Sequence, residues 1–283
     1  MLTGRALHFV FKVGDRKLTD KFYRQVLGMK ILRHEEFSEG CDAACNGPYN
    51  SRWSKTMVGY GPEDTNFVVE LTFNYGIKSY EKGNDFLGMT IKSREAIQRA
   101  RDLQWPIEKD TSSGLYATEA PGGYKFYLED EPQPTDADPV QKVTLACSNL
   151  QKSIDYWHGL LGLKLYNKTS ESAVFGFSDM QVKLEMKDKG QAVDHGKAYG
   201  RIAFSCPHEE QPALSEKMEK AAQPILTPLI TLDTPGKASV RVIILADPDG
   251  HEICFVDDEG FRELSQVDPQ GTELLERYMA KEK

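Results

Sequence analysis

The sequence predicts an α+β fold made of four successive units, each a strand, a helix and several further strands. Three observations lead there: a block that returns at a fixed offset, matched glycine turns, and a length suited to two domains. The plan strand, helix, glycine, strand runs from Leu7 through Gly28 to Leu32 and returns around Gly162, 134 residues later. The aromatic pairs Phe22-Tyr23 and Tyr156-Trp157 fall in register with it. GNDFLGMTI at Gly83–Ile91 is echoed by GKAYGRIAF at Gly196–Phe204, and APGGYKFYL at Ala120–Leu128 by DPDGHEICF at Asp247–Phe255. Such echoes mark internal repetition. At 283 residues the chain suits two domains of about 130–140 residues each.

Each element has its own signal. Leu7–Val13 reads as a strand, and Phe22, Tyr23, Val26 and Leu27 form one face of a short helix that Gly28 stops. Phe67–Tyr75 is a β-rich run with one carboxylate, Glu70, among its apolar residues. That carboxylate faces either solvent or a cavity that uses its charge. Helices fit Arg94–Leu103 and Pro212–Ala222, and tight turns fit Pro121-Gly122-Gly123-Tyr124 and Pro248-Asp249-Gly250-His251. Asp130–Pro139, with three prolines and four acids, reads as an interdomain linker. The expected division is a domain at 1–131, a second at 132–258, and a tail of two short helices at 259–283.

Hydrophobic content of 40% with 10% aromatics allows real cores. The net charge of −8 is spread without a Lys/Arg stripe, which argues against duplex nucleic acid as a partner. The longest apolar run, Val242–Ala246, is too short for a bilayer span, so no membrane partner is expected. The N-terminus offers neither an apolar signal core nor an Arg/Ser-rich presequence. An intracellular protein is expected, in the cytosol, or in mitochondria without a recognisable cleaved presequence. Five cysteines suggest free thiols in a reducing compartment, Cys41 and Cys45 among them as plain loop thiols.

The stretch GYGPEDTNFVVELTFNYGIKSYEKGND resembles glyoxalase I, and ALHFVFKVGD with FYRQVLGMKIL resembles the first unit of its superfamily, the vicinal oxygen chelate proteins. The similarity runs over residues 5–257. It implies four βαβββ modules paired into two glyoxalase/dioxygenase-like domains, whose curved mixed sheets enclose cavities. In that family a divalent metal, held by one side chain from each of four strands, polarises a hemithioacetal while a glutamate moves the proton.

Carried over residue by residue, the four ligand positions fall on His8, Glu70, Gly88 and Tyr127 in the first half, and on Lys142, Glu185, Arg201 and Cys254 in the second. If cavities form between modules of different halves, one combines His8, Glu70, Arg201 and Cys254, and the other Lys142, Glu185, Gly88 and Tyr127. Charged Lys and Arg have no lone pair to give a metal. The expectation is therefore a glyoxalase-like small-molecule binding or metabolic protein with degenerate metal centres and no cofactor. Arg201 would pair with Glu70 and Lys142 with Glu185, each fixed cation replacing a metal charge and leaving a site for an anionic ligand. The catalytic candidates are Glu70 and Glu185; the ligand-binding candidates are Arg201, Lys142, Cys254, Tyr127, Arg52 and Trp53. Cys254, beside Arg201, would tend toward thiolate, and the loop Asn46–Lys55 would form a lid. Leu232–Ala238 offers a similar turn with Lys237 as its cation. One alternative is an active metal-dependent lyase or dioxygenase, with Ni, Zn, Mn or Co at His8 and Glu70. The other is a non-catalytic scaffold or regulatory protein. His34, His195 and His208 are expected to face solvent, and His251 to close its own turn.

Overall fold

Four modules of one design make up the chain in a computed structural model that describes residues 2–234 and 237–282. The first holds β1 (Arg5–Val13), α1 (Arg16–Asp20), β2 (Lys30–Phe37), β3 (Trp53–Gly59) and β4 (Val68–Asn74). The second holds β5 (Phe86–Lys92), α2 (Arg94–Asp102), β6 (Ile107–Lys109), β7 (Tyr116–Ala120) and β8 (Tyr124–Glu129). The third runs through β9 (Val140–Cys147), α3 (Leu150–Ile154), β10 (Lys164–Lys168), β11 (Ser172–Gly176) and β12 (Lys183–Asp188). The fourth runs through β13 (Arg201–Cys206), α4 (Gln211–Lys220), β14 (Ile225–Leu232), β15 (Val240–Ala246) and β16 (Glu252–Asp257). Two helices follow, α5 (Asp258–Leu264) and α6 (Gly271–Met279).

In every module the first strand pairs in parallel with the last, and the remaining neighbours are antiparallel. The strand pairing crosses the midpoint of the chain. One eight-stranded sheet has the order β14-β15-β16-β13-β1-β4-β3-β2, and the other β10-β11-β12-β9-β5-β8-β7-β6. The first module thus shares a sheet with the fourth, and the second with the third.

Local chemistry explains the repeats. Asp15, Ser93 and Asn149 each cap a helix by accepting a backbone N–H in the first turn. Beyond α1 and α3 the chain continues as one wider π-helical turn, Lys21–Val26 and Asp155–Leu160, which buries the aromatic doublets Phe22-Tyr23 and Tyr156-Trp157. Gly28 and Gly162 end these turns at φ of 78° and 82°, where a Cβ would be strained. The echoed Gly83 and Gly196 mark a close crossing of two chain segments, joined by a bridge between Lys82 and Gly196. A Cβ on Gly83 would lie 1.7 Å from the Asp194 carbonyl oxygen.

Between the two sheets lies an aromatic core in which Phe9, Phe11, Phe86 and Tyr124 contact one another at centroid distances of 4.5–6.2 Å. Burying each such ring contributes about 1.5–3 kcal/mol. The opposite strand faces are free for cavities. The tail closes over the first module: Leu275 and Met279 of α6 join the core, and Asp268 N–H donates to the Leu32 carbonyl.

Candidate functional site

Alternation along β1 sends His8, Val10 and Lys12 to one face of their sheet. Register places His8 beside Ala203, Val10 beside both Arg201 and Glu70, and Ala203 beside Cys254. His8, Glu70, Arg201 and Cys254 therefore line one cavity, of about 90 Å³. Phe261 and Leu264 of α5 close it. Its volume is far below the ~300–1,000 Å³ of ordinary ligand sites.

Within it, Arg201 does not pair with Glu70. Its guanidinium pairs with Glu252, the residue directly across on β16, at 2.7 and 2.9 Å, and donates to the Ala43 carbonyl at 3.0 Å. The nearer, register-matched carboxylate wins. Glu70 instead faces His8 Nε2 at 3.5 Å and accepts from the Thr72 hydroxyl. His8 Nδ1 donates to Glu63 at 2.6 Å, and Arg33 reaches the other Glu63 oxygen at 3.4 Å. Glu63 and Glu252 were not anticipated from the sequence, because both lie outside the inherited ligand positions.

Cys254 is a thiol, not a thiolate: burial pushes it up to about 12 and outweighs the opposing charge of Arg201. Lys55 also lines this cavity, and with Lys237 it clamps Glu35 at 2.9 and 2.6 Å. Burial raises the Glu35 carboxyl, but the charges of Lys55, Arg33 and Lys237 outweigh it and hold the group well below the usual range. Pro235 and Gly236 of the Lys237 turn lie outside the described residues.

The second set of positions opens on a larger cavity of about 540 Å³, which includes Lys142, Glu185, Tyr127, Thr90 and Thr144 in its lining. Here Lys142 Nζ is 2.7 Å from Glu185, which also accepts from Thr144 Oγ1 at 3.0 Å. Burial raises the Glu185 carboxyl, but the Lys142 hydrogen bond and charge lower it further, so it stays ionised. At the Gly88 position an added Cβ would meet the Tyr127 ring at 2.4 Å, so Tyr127 occupies that space itself. Lysines 82, 125, 142, 187 and 189 line this cavity against the carboxylates of Asp85, Asp110 and Glu185. The excess is cationic in a chain whose net charge is −8.

Among the described residues, the positions carried over from the family offer an imidazole, a carboxylate and a thiol in the smaller cavity, from His8, Glu70 and Cys254, and a carboxylate and a phenol in the larger, from Glu185 and Tyr127. His8 and Glu70 present a nitrogen and an oxygen; Arg201 and Lys142 present only donors.

Other expectations need correction. Arg52 and Trp53 line neither cavity. Trp53 stacks on Phe37 with centroids 4.2 Å apart and donates to the Glu39 carbonyl, so its apolar surface is spent on packing. Arg52 pairs with Glu36 at 3.0 Å and lies over the Tyr75 ring. Cys41 and Cys45 are joined in a disulfide; Ala44, at a φ of 50°, turns the chain so that their Cα atoms come within 5.4 Å. His34 is buried, bonded to Thr56 and Glu36, because its strand is covered by α6. His195 is half-buried on Asp85, and His208 is exposed. In the last turn it is the His251 backbone that closes onto Asp247; the imidazole crosses to the Ala146 carbonyl.

Residues 149–264 match a family model described as glyoxalase domain-containing protein 4-like, C-terminal domain, and residues 88–130 match glyoxalase domain-containing protein 4, N-terminal. The chain is 61% identical to glyoxalase domain-containing protein 4 of Rattus norvegicus, over all of this chain and 95% of the relative. It is 43% identical to glyoxalase 1 of Caenorhabditis elegans, over 99% and 98% of the two chains. Among solved structures, glyoxalase I of Zea mays superposes with a TM-score of 0.75 at 26% identity, over 92% of this chain and 94% of that one. No helix of the described residues is long and apolar enough to cross a membrane. With its four βαβββ modules in two mixed sheets, the chain belongs to the glyoxalase domain-containing protein 4 family.

Proposed function

We propose that this protein binds, and in binding handles, a small anionic metabolite in the larger cavity, where the Lys142–Glu185 pair stands in place of a glyoxalase metal. The observation that carries this reading is the 2.7 Å pair inside a 540 Å³ cavity with an excess of lysines. That volume suits a metabolite, and Lys142 supplies a fixed positive charge where the family uses an ion. Without two open metal positions the cavity cannot chelate vicinal oxygens, so ordinary lactoylglutathione lyase turnover is not expected. Glu185, kept ionised, remains a candidate to accept a proton from a ligand held by the lysines.

Calorimetric titration with carboxylates, phosphates and S-lactoylglutathione, in chelator, tests this. Lys142→Met should weaken the binding by about 10–150-fold, the value of one hydrogen bond to a charged group. Binding unaffected by Lys142→Met, or no binding at all, refutes the reading.

A second reading keeps metal chemistry in the smaller cavity. It rests on the His8 Nδ1 bond to Glu63, which leaves Nε2 free toward Glu70 at 3.5 Å, an arrangement common for metal-bound histidine. It requires stoichiometric metal that disappears in a His8→Ala, Glu70→Gln variant.

A further inference from the structure

Away from both inherited centres, Asp85, His195 and His251 meet where the leads into β5, β13 and β16 cross. One donor atom from each lies within 4.8 Å of the others. Asp85 and His251 are buried, and His195 is half-buried. Asp85 Oδ2 is 2.9 Å from His195 Nδ1, and the two imidazoles stand edge to face with centroids 5.0 Å apart.

One nitrogen of each ring is committed to a backbone carbonyl. His195 Nε2 donates to the Asp249 carbonyl at 2.9 Å and His251 Nε2 to the Ala146 carbonyl at 2.7 Å. A carbonyl only accepts, so each Nε2 carries the proton; neutral His251 keeps its lone pair on Nδ1, whereas His195 Nδ1 shares a proton with Asp85 and offers its lone pair only once that proton leaves. Donation from the far nitrogen to a backbone carbonyl is the usual way a protein orients a metal-binding histidine.

The internal repeat supplies a control. With Gly83 matched to Gly196 and Gly123 to Gly250, the counterparts of His195, Asp85 and His251 are Lys82, Ala198 and Tyr124. Lys82 and Tyr124 make a similar latch: Lys82 Nζ donates to the Gly123 carbonyl, one residue beyond the counterpart of Asp249, at 2.6 Å, and Tyr124 Oη to the Lys12 carbonyl at 2.7 Å. Lys12 is in turn the counterpart of Ala146. Holding the segments together therefore needs neither imidazole nor carboxylate. What the second crossing adds is three donors of the kind that bind a divalent ion.

We propose that Asp85, His195 and His251 form a binding site for a borderline divalent cation, zinc or cobalt in type, distinct from the positions inherited from glyoxalase. Two imidazole nitrogens and one carboxylate suit such ions, with bonds of about 2.0–2.2 Å. Donors around such a centre stand roughly 3.3–3.6 Å apart, so the widest separation here closes by about 1 Å on binding. The ion displaces the proton that His195 Nδ1 shares with Asp85, and that proton passes to solvent. Asp85 also lines the larger cavity, so the bound charge adds to the lysines at its rim.

The test is cobalt and zinc titration of the chelator-stripped full chain, read by the cobalt ligand-field spectrum, stoichiometry and thermal shift. One ion per chain is expected, with a rise in Tm. The double variant His195→Lys, His251→Tyr installs the counterpart residues, keeps the latch, and should keep its metal-free Tm while losing at least about 100-fold in cobalt affinity. Asp85→Ala should weaken binding as well, and His8→Ala should leave it unchanged. Absence of binding in the wild type, or binding that survives in the double variant, overturns the proposal. Loss of the ion in His8→Ala overturns it too, and assigns the metal to the smaller cavity. Anion binding that depends on Lys142 is measured separately in chelator, so the two readings stand or fall independently.

Discussion

Arg52 is half-exposed, but its guanidinium is held by Glu36 and Tyr75, and Glu36 is the centre of that cluster. The Glu36 carboxyl accepts from Arg16, Arg52 and Tyr75 and lies 3.2 Å from His34 Nε2. Burial raises it, but these hydrogen bonds outweigh burial and hold it at about 2. A carboxyl lowered in the fold stabilises it fully above the ordinary glutamate range, near 4.3, and loses that contribution as pH falls toward 2. Glu36→Gln should therefore lower stability at pH 7 by about 1–3 kcal/mol and flatten the acid limb between pH 4.5 and 2, as followed by urea unfolding across pH. An unchanged acid limb would show that Glu36 carries no such energy. Sequence reading found Arg52 as a cation beside an aromatic but could not find its partner, because Glu36 and Tyr75 reach it only through strand pairing. The same limit applies to Arg201: its position on the cavity wall was legible from the repeat, whereas its choice of Glu252 over Glu70 was set by register across β13 and β16.

The glycine echoes carried true information about elements. Gly83 and Gly196 recur because two segments cross with backbone against backbone, and a methyl group on Gly83 would overlap the Asp194 carbonyl. Gly83→Ala should cost more than about 2 kcal/mol in stability, measured by denaturant midpoint at constant m-value; a neutral result would mean that the crossing relaxes freely. The tail was legible as two short helices from its apolar spacing, but its role was not. Phe261 and Leu264 complete the wall of the smaller cavity, with the Phe261 ring 6.0 Å from His8. Leu275→Ala in α6, a buried leucine, should cost about 2–5 kcal/mol; a much smaller loss in thermal unfolding would show that α6 is not docked through this residue.

At the scale of the whole molecule, the two sheets carry unequal cavities. One cavity, lined by His8 and Glu70 and closed by α5, has about 90 Å³, while the other, lined by Lys142, Glu185 and a rim of lysines, has about 540 Å³. The repeat made the four modules readable, and the expected pairing of the first with the fourth and the second with the third is the one the sheets show, although Gly88 does not line the larger cavity. Cavity volume was not readable, because it depends on Tyr127 filling the space beside Gly88 and on where the tail lands. The Asp85–His195–His251 cluster was equally hidden, its members being 110 and 56 residues apart in sequence and joined only by the fold.

In the larger cavity, on the function proposed above, the fixed charge of Lys142 takes the place of a metal charge. A crystal structure of the chelator-treated protein grown with a saturating carboxylate ligand such as S-lactoylglutathione tests it most directly. Ligand density is expected in the cavity of Lys142 and Glu185, with an anionic oxygen within hydrogen-bonding distance of Lys142 Nζ and no ion beside it. Ligand density in the cavity of His8 and Glu70 instead would contradict it.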